Sequence, residues 1–415
     1  MFSGRLVRLL EKLEKAGGGD LLRRRTNAAN APQLRFGRTS TAETARRFWK
    51  SQPDALREIL CDDTVLARID TYAANAENMV GMASIPVGIA GPLLVRGLNA
   101  SGPYLVPLAT TEAALVASYA RGCHVISRSG GAVAALISEG VLRSPAFVFA
   151  DLIEAGEFVA WVAGQSQQIH AAVASTTSHG VLEEAEPTIE NDTVFLTFRY
   201  TTGDASGQNM VTIATEAVCR QLIAHCPVKP RHWFVEGNFS GDKKASHLAL
   251  IAGRGRKVSA SVTIPEELVV SLLKTTPEQM LAYARVAALG AQLSGQIGAQ
   301  GHYANGLAAL YIATGQDAAC VAESAVGFTR MEPRDGGLYM SVTLPNLMVG
   351  TVGGGTGLPT QRAALELMGL YGPGKAAAFA EVTACLCLAG EISIMAAIAS
   401  GQFTRAHDRL ARGRR

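Results

Sequence analysis

The sequence predicts an α+β protein: a large, mostly helical part interrupted by a small inserted unit with the βαββαβ order of a ferredoxin-like fold. Three observations carry this. Residues 145–236 pass through strand-like and helix-like patterns in the order of a split βαβ unit. Beyond them, long Ala/Gly/Leu-rich runs read as helices. Of 415 residues, 48% are hydrophobic and 18% charged, the balance of a globular chain with core enough for two or three domains.

Residues 1–70 read as a polar, helical N-terminal segment broken at Gly17–Gly19. "ENMVGMASIPVGIAGPLLV" reads as turns and short buried strands. In "ATTEAALVASYARG", Thr110 or Thr111 can cap a helix whose first turn holds Glu112. Within the insert, "AFVFA" is a strand and "DLIEAGEFVAWVAGQSQQIHAAVAS" has helical period. "TSHGVLEEAEPTIEN" holds a turn and a strand, "TVFLTFRY" alternates as a strand, and "TTGDASGQN" is a tight turn. "MVTIATEAVCRQLIAHC" is a helix and "HWFVEG" the last strand. Pro265 then opens the helix in "TIPEELVVSLLK". "LYMSVTLPNLMVGTVGGGTGLPTQ" is a strand with a Gly-rich turn, and a final apolar helix precedes a basic tail. The expected division is therefore 1–70, a large part formed by 71–144 with 237–415, and the insert 145–236.

The formal charge of +3 is too small to argue for nucleic acid. The most apolar stretch carries Glu381 and Glu391, so a buried helix fits it better than a membrane span. The N-terminus has no secretory pattern. Seven Cys without a CxxC pair suggest reduced thiols in the cytoplasm and no structural metal.

Some segments could carry chemistry. "TTGDASGQNM" leads from strand to helix, and Gly203, Ser206 and Gly207 could turn backbone N–H groups toward a pyrophosphate, or simply connect the two elements. "GTVGGGTG" invites close approach of a ligand or another backbone. Neither fits GxGxxG, and "GLYGPGKA" lacks the Ser or Thr of a P-loop. No GxSxG elbow or HExxH is present. "GNFSGDKKASH" sets Asp242, Lys243 and Lys244 side by side, which by itself could be a solvated loop.

Taken together, "ENMVG", "IPVGIAGPL", "ATTEAALVAS", "TGDASGQNM", "GNFSGDKK", "GRGRKV", "GQDAA" and "GTVGGGT" resemble the hydroxymethylglutaryl-CoA (HMG-CoA) reductase family, in the family's order, over about residues 70–410. "TTEAALVAS" is similar to the first, eukaryote-type class, here without a membrane region. The resemblance implies a large acyl-CoA-binding domain and a small cofactor-binding domain. It implies a dimer, or a dimer of dimers, with active sites shared between chains and "ENMVG" reaching the neighbour. It further implies reduction of HMG-CoA to mevalonate by two NADPH.

By the same resemblance Lys243 stabilises the thioester oxyanion, an effect worth ~3 kcal/mol by analogy with single oxyanion donors. Glu112 is the proton donor, and would need burial or a proton shared with Lys243 to stay protonated. Asp317 links the two, and His407 protonates the CoA thiolate from the tail. Ser118, Arg121, Arg143, Asn238, Asp242, Lys244, Lys274 and Asn305 match substrate contacts. Ser178, His179, Asp204, Ser206, Gly207, Asn209, Gln316, Gly353, Gly354 and Gly355 match the dinucleotide site.

Two departures stand out. "TTSHG" offers Ser178 and His179 but no Arg for a 2′-phosphate, so NADH is the alternative to NADPH. Glu236 replaces a Ser just before the Lys loop and adds a negative charge there. The alternatives to a reductase are a sister enzyme oxidising mevalonate with NAD⁺ and a CoA-binding chain without turnover.

Overall fold

The structure is a computed structural model and describes residues 4–15, 40–334 and 336–403. The chain divides into two units, Met1–Ala83 and Ser84–Arg415.

The first unit holds helices α1 (Gly4–Lys15), α2 (Ala42–Trp49), α3 (Asp54–Leu60) and α4 (Asp63–Arg68). Thr41 and Thr44 close a capping box at the start of α2, and the Asp62 carboxylate caps α4,. Ala45, Trp49, Cys61, Leu66 and Ile69 form a small core. This unit runs past residue 70 because the Trp49 indole donates to the Val80 carbonyl at 2.6 Å and the Met82 N–H donates to the Leu60 carbonyl at 2.7 Å.

The second unit begins with strands β1 (Val87–Gly97) and β2 (Ser101–Ala109), helix α5 (Leu115–Arg128), and strands β3 (Ala132–Arg143) and β4 (Ala146–Val148). Helices α6 (Leu152–Val162) and α7 (Ser166–Ala174) follow, then β5 (Val181–Glu190), β6 (Thr193–Thr201), α8 (Gln208–His225) and β7 (His232–Phe234). After these come α9 (His247–Ala252), β8 (Gly255–Pro265), α10 (Glu266–Ser271), α11 (Pro277–Ser294), α12 (Tyr303–Thr314) and α13 (Val321–Ser324). The chain ends on β9 (Phe328–Arg334), β10 (Gly337–Leu347), α14 (Pro359–Leu367) and α15 (Ala376–Ala399).

The α+β class expected from the sequence holds. One sheet runs β7-β4-β6-β3-β8-β10-β9, with β5 on β6 and β1 on both β2 and β3. The pairs β7·β4, β4·β6 and β6·β5 are all antiparallel, a pattern compatible with a ferredoxin-like arrangement. β3 is the hinge of this sheet: Ala134 pairs with β8, while Val141–Arg143 pair with β6. Arg143 thus ends the strand where the two parts of the sheet meet.

Two local expectations change. The long helical pattern after Asp151 breaks between Val162 and Ser166 into α6 and α7. The helix expected from Thr110 or Thr111 starts only at Leu115, because β2 runs on to Ala109 and the chain then turns through Ala114 at φ 69°. Glu112 therefore precedes the helix, and its N–H donates to Thr110 Oγ1 at 3.0 Å in a local side-chain turn,.

Helix α15 is long and apolar enough to cross a membrane, yet most of it is buried inside the protein. Its two fully buried acids are each held by backbone N–H groups. Glu381 accepts from Asn99 and Ala100 at 2.8 Å, and Glu391 from Gly301 and His302 at 2.8 Å. Those bonds satisfy the carboxylates and pin two loops to the central helix. Helix α5 crosses α15 at Gly122, where an added Cβ would sit 1.9 Å from the Ala389 carbonyl oxygen. All seven cysteines are buried and unpaired.

Candidate active site

The loop between β7 and α9 carries Asp242, Lys243 and Lys244. Its backbone is strained: Asn238, Gly241 and Lys243 have φ of 61°, 74° and 58°. For Asn and Lys this left-handed conformation costs about 1–2 kcal/mol each, so the surroundings must hold it. Lys243 Nζ lies 2.8 Å from Asp317 Oδ2. Asp317 follows α12 and is itself fixed, since its other oxygen accepts from the Ala319 N–H at 3.0 Å. The hydrogen bond to Asp317 raises the Lys243 pKa above its ordinary value, against the opposing effect of partial burial.

Behind Lys243, Asp242 is gripped from two sides. Its Oδ2 is 3.1 Å from Arg143 Nη1 and its Oδ1 is 2.9 Å from Arg254 Nη2. Burial alone pushes this carboxyl up, but the two guanidiniums outweigh it and its pKa ends lowered. Arg254 is wholly buried, pairs with the equally buried Glu323, and donates to Gln208 Oε1 at 2.7 Å. Burial raises the Glu323 pKa, and Arg254 offsets only part of that rise. Arg143 Nη1 is shared with Glu236 Oε2 at 3.0 Å. Lys244 is exposed, with its ammonium donating to the Asp242 carbonyl at 2.8 Å.

A second group forms elsewhere in the unit. Asn305, in the first turn of α12, donates to both oxygens of Glu112 at 3.1 and 2.8 Å. Nearby on α5, Ser118 Oγ donates to Ser393 Oγ at 2.9 Å and Arg121 Nε donates to the same oxygen at 3.0 Å. Glu112 and Lys243 thus stand at opposite ends of α12. That helix has 12 residues and so spans about 18 Å.

Two Gly-rich turns abut beside the first group. Gly350 lies against the backbone of Ala205 and Ser206, and the Thr351 N–H donates to the Asp204 carbonyl at 2.8 Å. Arg256 clamps both turns through the carbonyls of Gly203 and Val349. Gly203 and Gly353 have positive φ, and nothing lies within 4 Å of where their Cβ atoms would be. Gly207 starts α8 without a side-chain cap hydrogen bond, an arrangement that suits an anion at a helix N-terminus. Asn209 is exposed there. The exposed Ser178 and His179 lie on a turn that touches Met210 of α8 through Thr177 and Gly180.

A sequence profile described as hydroxymethylglutaryl-coenzyme A reductase matches residues 41–412. The chain belongs to the HMG-CoA reductase family. A 3-hydroxy-3-methylglutaryl-coenzyme A reductase of Aeropyrum pernix is 40% identical over 418 residues, 99% of this chain and 98% of that one. Its counterpart from Methanothermobacter thermautotrophicus is 44% identical over 345 residues, 82% and 85% of the two chains. In fold, the chain resembles the NADPH-bound class II HMG-CoA reductase of Streptococcus pneumoniae, with a TM-score of 0.64 and 18% identity over 86% of this chain and 99% of that one.

Against the family expectations, Lys243, Asp317, Asp242, Arg143 and Lys244 come together, and Glu112 joins Asn305 instead. Within one chain Glu112 is exposed, so the burial expected for a proton donor is absent there. Ser118 and Arg121 turn onto Ser393, and Lys274 stands exposed with φ 58°. His407 lies outside the described residues. Two expected dinucleotide contacts have other work. Asp204 accepts from the backbone N–H groups of Gly374, Lys375 and Ala376. The Gln316 amide bonds the Thr314 carbonyl and the Gly350 N–H, at 2.9 and 2.8 Å. Sequence reasoning assigned no role to Arg254, Arg256, Gln208 or Glu323. The two arginines of "GRGRKV", set at the head of an alternating strand, were the available signal.

Proposed function

We propose that this oxidoreductase reduces HMG-CoA to mevalonate and CoA with two NADPH. Each site of a homodimer would join Lys243 and Asp317 of one subunit to Glu112 of the other. The observation that carries this reading is the Lys243–Asp317 pair at 2.8 Å, on a loop locked by Asp242. Near-full-length relatives bearing the reductase name support it as well.

When bound, the nicotinamide would supply hydride for the acyl carbon. The chain's groups do the rest. Lys243 holds its ammonium beside the thioester oxygen and stabilises the charge that develops there. Fixed in place beforehand by Asp317, it costs little reorganisation, and loss of such a donor is worth about 10²–10³ in rate. The hemithioacetal oxyanion collapses to an aldehyde and CoA thiolate, and His407 delivers the proton to sulfur. After the second hydride, Glu112 protonates the alkoxide. Arg143 and Asn238 face the acyl group, with Lys244 adding positive charge. Ser118, Arg121 and Lys274 meet the CoA portion.

The open Gly203 and Gly353, the uncapped start of α8 and Asn209 fit a dinucleotide pyrophosphate, while Ser178 and His179 would meet the ribose phosphate. NADPH is also what the Streptococcus pneumoniae protein binds. The cytoplasm is the compartment this reading assigns.

The test is absorbance at the nicotinamide band with HMG-CoA, comparing NADPH with NADH. Oxidation of NADPH that requires HMG-CoA and vanishes in Lys243→Ala is the expected result. No oxidation of either cofactor by folded, CoA-binding protein would leave the binding-only alternative.

A further inference from the structure

Glu236 and Arg143 form an ion pair that the reaction described above does not use. Arg143 Nη1 meets Glu236 Oε2 at 3.0 Å and Asp242 Oδ2 at 3.1 Å. Ser240 donates to the same Glu236 oxygen at 2.9 Å, and its hydroxyl is in turn positioned by the Asp242 N–H at 3.3 Å. The other Glu236 oxygen and Arg143 Nε are both enclosed and without a partner. The Arg143 side chain is only 7% exposed, so its charge has little water to fall back on.

The charges around this arginine do not favour an incoming anion. Arg143 and Arg254 face Asp242, Glu236 and Glu323. Counted with the Lys243–Asp317 pair and the Lys244 ammonium, four cations stand against four carboxylates, so no positive charge is left over to attract an anion. Lys243 is paired with Asp317, and Lys244 points at a carbonyl. A carboxylate arriving at Arg143 must therefore displace Glu236 or sit beside it, and either costs affinity in a poorly hydrated place.

We propose that Glu236 is a specificity-determining residue: it occupies Arg143 as an internal competitor of the acyl carboxylate, weakening binding of carboxylate-ended acyl thioesters relative to neutral ones. This rests on the reading of Arg143 as the acyl-carboxylate contact. The alternative is a latch that merely holds the loop through Ser240.

The experiment measures KM and kcat of the full chain for HMG-CoA, and the dissociation constant of a branched acyl-CoA without the distal carboxylate, in the parent, Glu236→Gln, Glu236→Asp and Arg143→Lys proteins. The expected result for Glu236→Gln is a KM for HMG-CoA lower by about tenfold, the size of one removed charge competitor at about 1.4 kcal/mol. The change is confined to KM, neutral acyl-CoA binding is unchanged, and Glu236→Asp returns KM toward the parent. An unchanged or higher KM in Glu236→Gln, or a fall in kcat shared by both variants, overturns the proposal and leaves the latch. Arg143→Lys separates the two readings: an unaltered KM there means that Arg143 does not meet the acyl carboxylate, and both fail together. If Arg143→Lys raises KM while Glu236→Gln does not lower it, only the competitor role fails.

Discussion

Glu112 and Lys243 hold on to opposite ends of the same helix, one through Asn305 and the other through Asp317. About 18 Å of α12 keeps them from sharing a proton within a chain. If both act on one thioester, they come from different subunits.

That reading predicts complementation. Lys243→Ala and Glu112→Ala homodimers should each be inactive. After mixing under conditions that exchange subunits, half the dimers are mixed, and each mixed dimer has one site with both residues intact. Activity should return to about a quarter of the parent's, from the two-fold geometry alone. No recovery, with exchange verified by differently tagged chains, would mean the site is not built this way.

The Lys243–Asp317 pair should set the alkaline limb of the reaction. A raised Lys pKa keeps the ammonium charged, and any stability it adds is full below the unfolded value of about 10.4 and lost as pH rises through the folded value. The pair is half exposed, so its stability contribution is small, about 0–1 kcal/mol. The visible effect is on rate: Asp317→Asn should move the alkaline limb of kcat to lower pH while the melting temperature barely moves. A limb that stays in place would assign it to another group.

Much of this was legible in the sequence, for physical reasons that differ by residue. The order of elements in the insert followed from periodicity. Lys243 was legible because adjacent charges in a Gly-rich loop need a reason, but its positive φ and its partner across the fold were not. Glu112 was misplaced by a few residues, since a Thr ahead of an apolar run looks the same whether it caps a helix or closes a side-chain turn after a strand. The Arg254–Glu323 pair joins distant segments by packing alone, and no local pattern encodes such a contact.

Asp242 should be a keystone of that buried cluster. Asp242→Ala leaves Arg254 and Arg143 each short of a carboxylate in a poorly hydrated setting. Each guanidinium keeps one carboxylate, Glu236 for Arg143 and Glu323 for Arg254, so the cost is that of the lost charge-assisted hydrogen bonds, about 1.5–3 kcal/mol. Urea unfolding of the variant should show stability lower by that amount, read as a midpoint lowered by the free-energy loss divided by the m-value, alongside lost activity. A loss of activity with an unshifted midpoint would make Asp242 a purely chemical group.

Asp204 allows the sharpest separation of scaffold from site. Its place in a Gly-rich turn suggests cofactor contact, yet its carboxylate receives three backbone N–H groups at the entry of α15. Burial pushes its pKa up, but those N–H groups and Arg256 outweigh it, and the carboxyl ends below its usual value. A depressed acid adds stability that is complete above its unfolded pKa of about 3.9 and fades as pH falls through the folded value. Asp204→Ala should therefore lower stability at neutral pH by about 1 kcal/mol, the worth of a helix cap, and the gap from the parent should narrow in acid. The KM for NADPH should change little, because the oxygens that could meet a ribose already face α15. A large rise in that KM with unchanged stability would return Asp204 to the cofactor, and would require the entry of α15 to let it go when the dinucleotide binds.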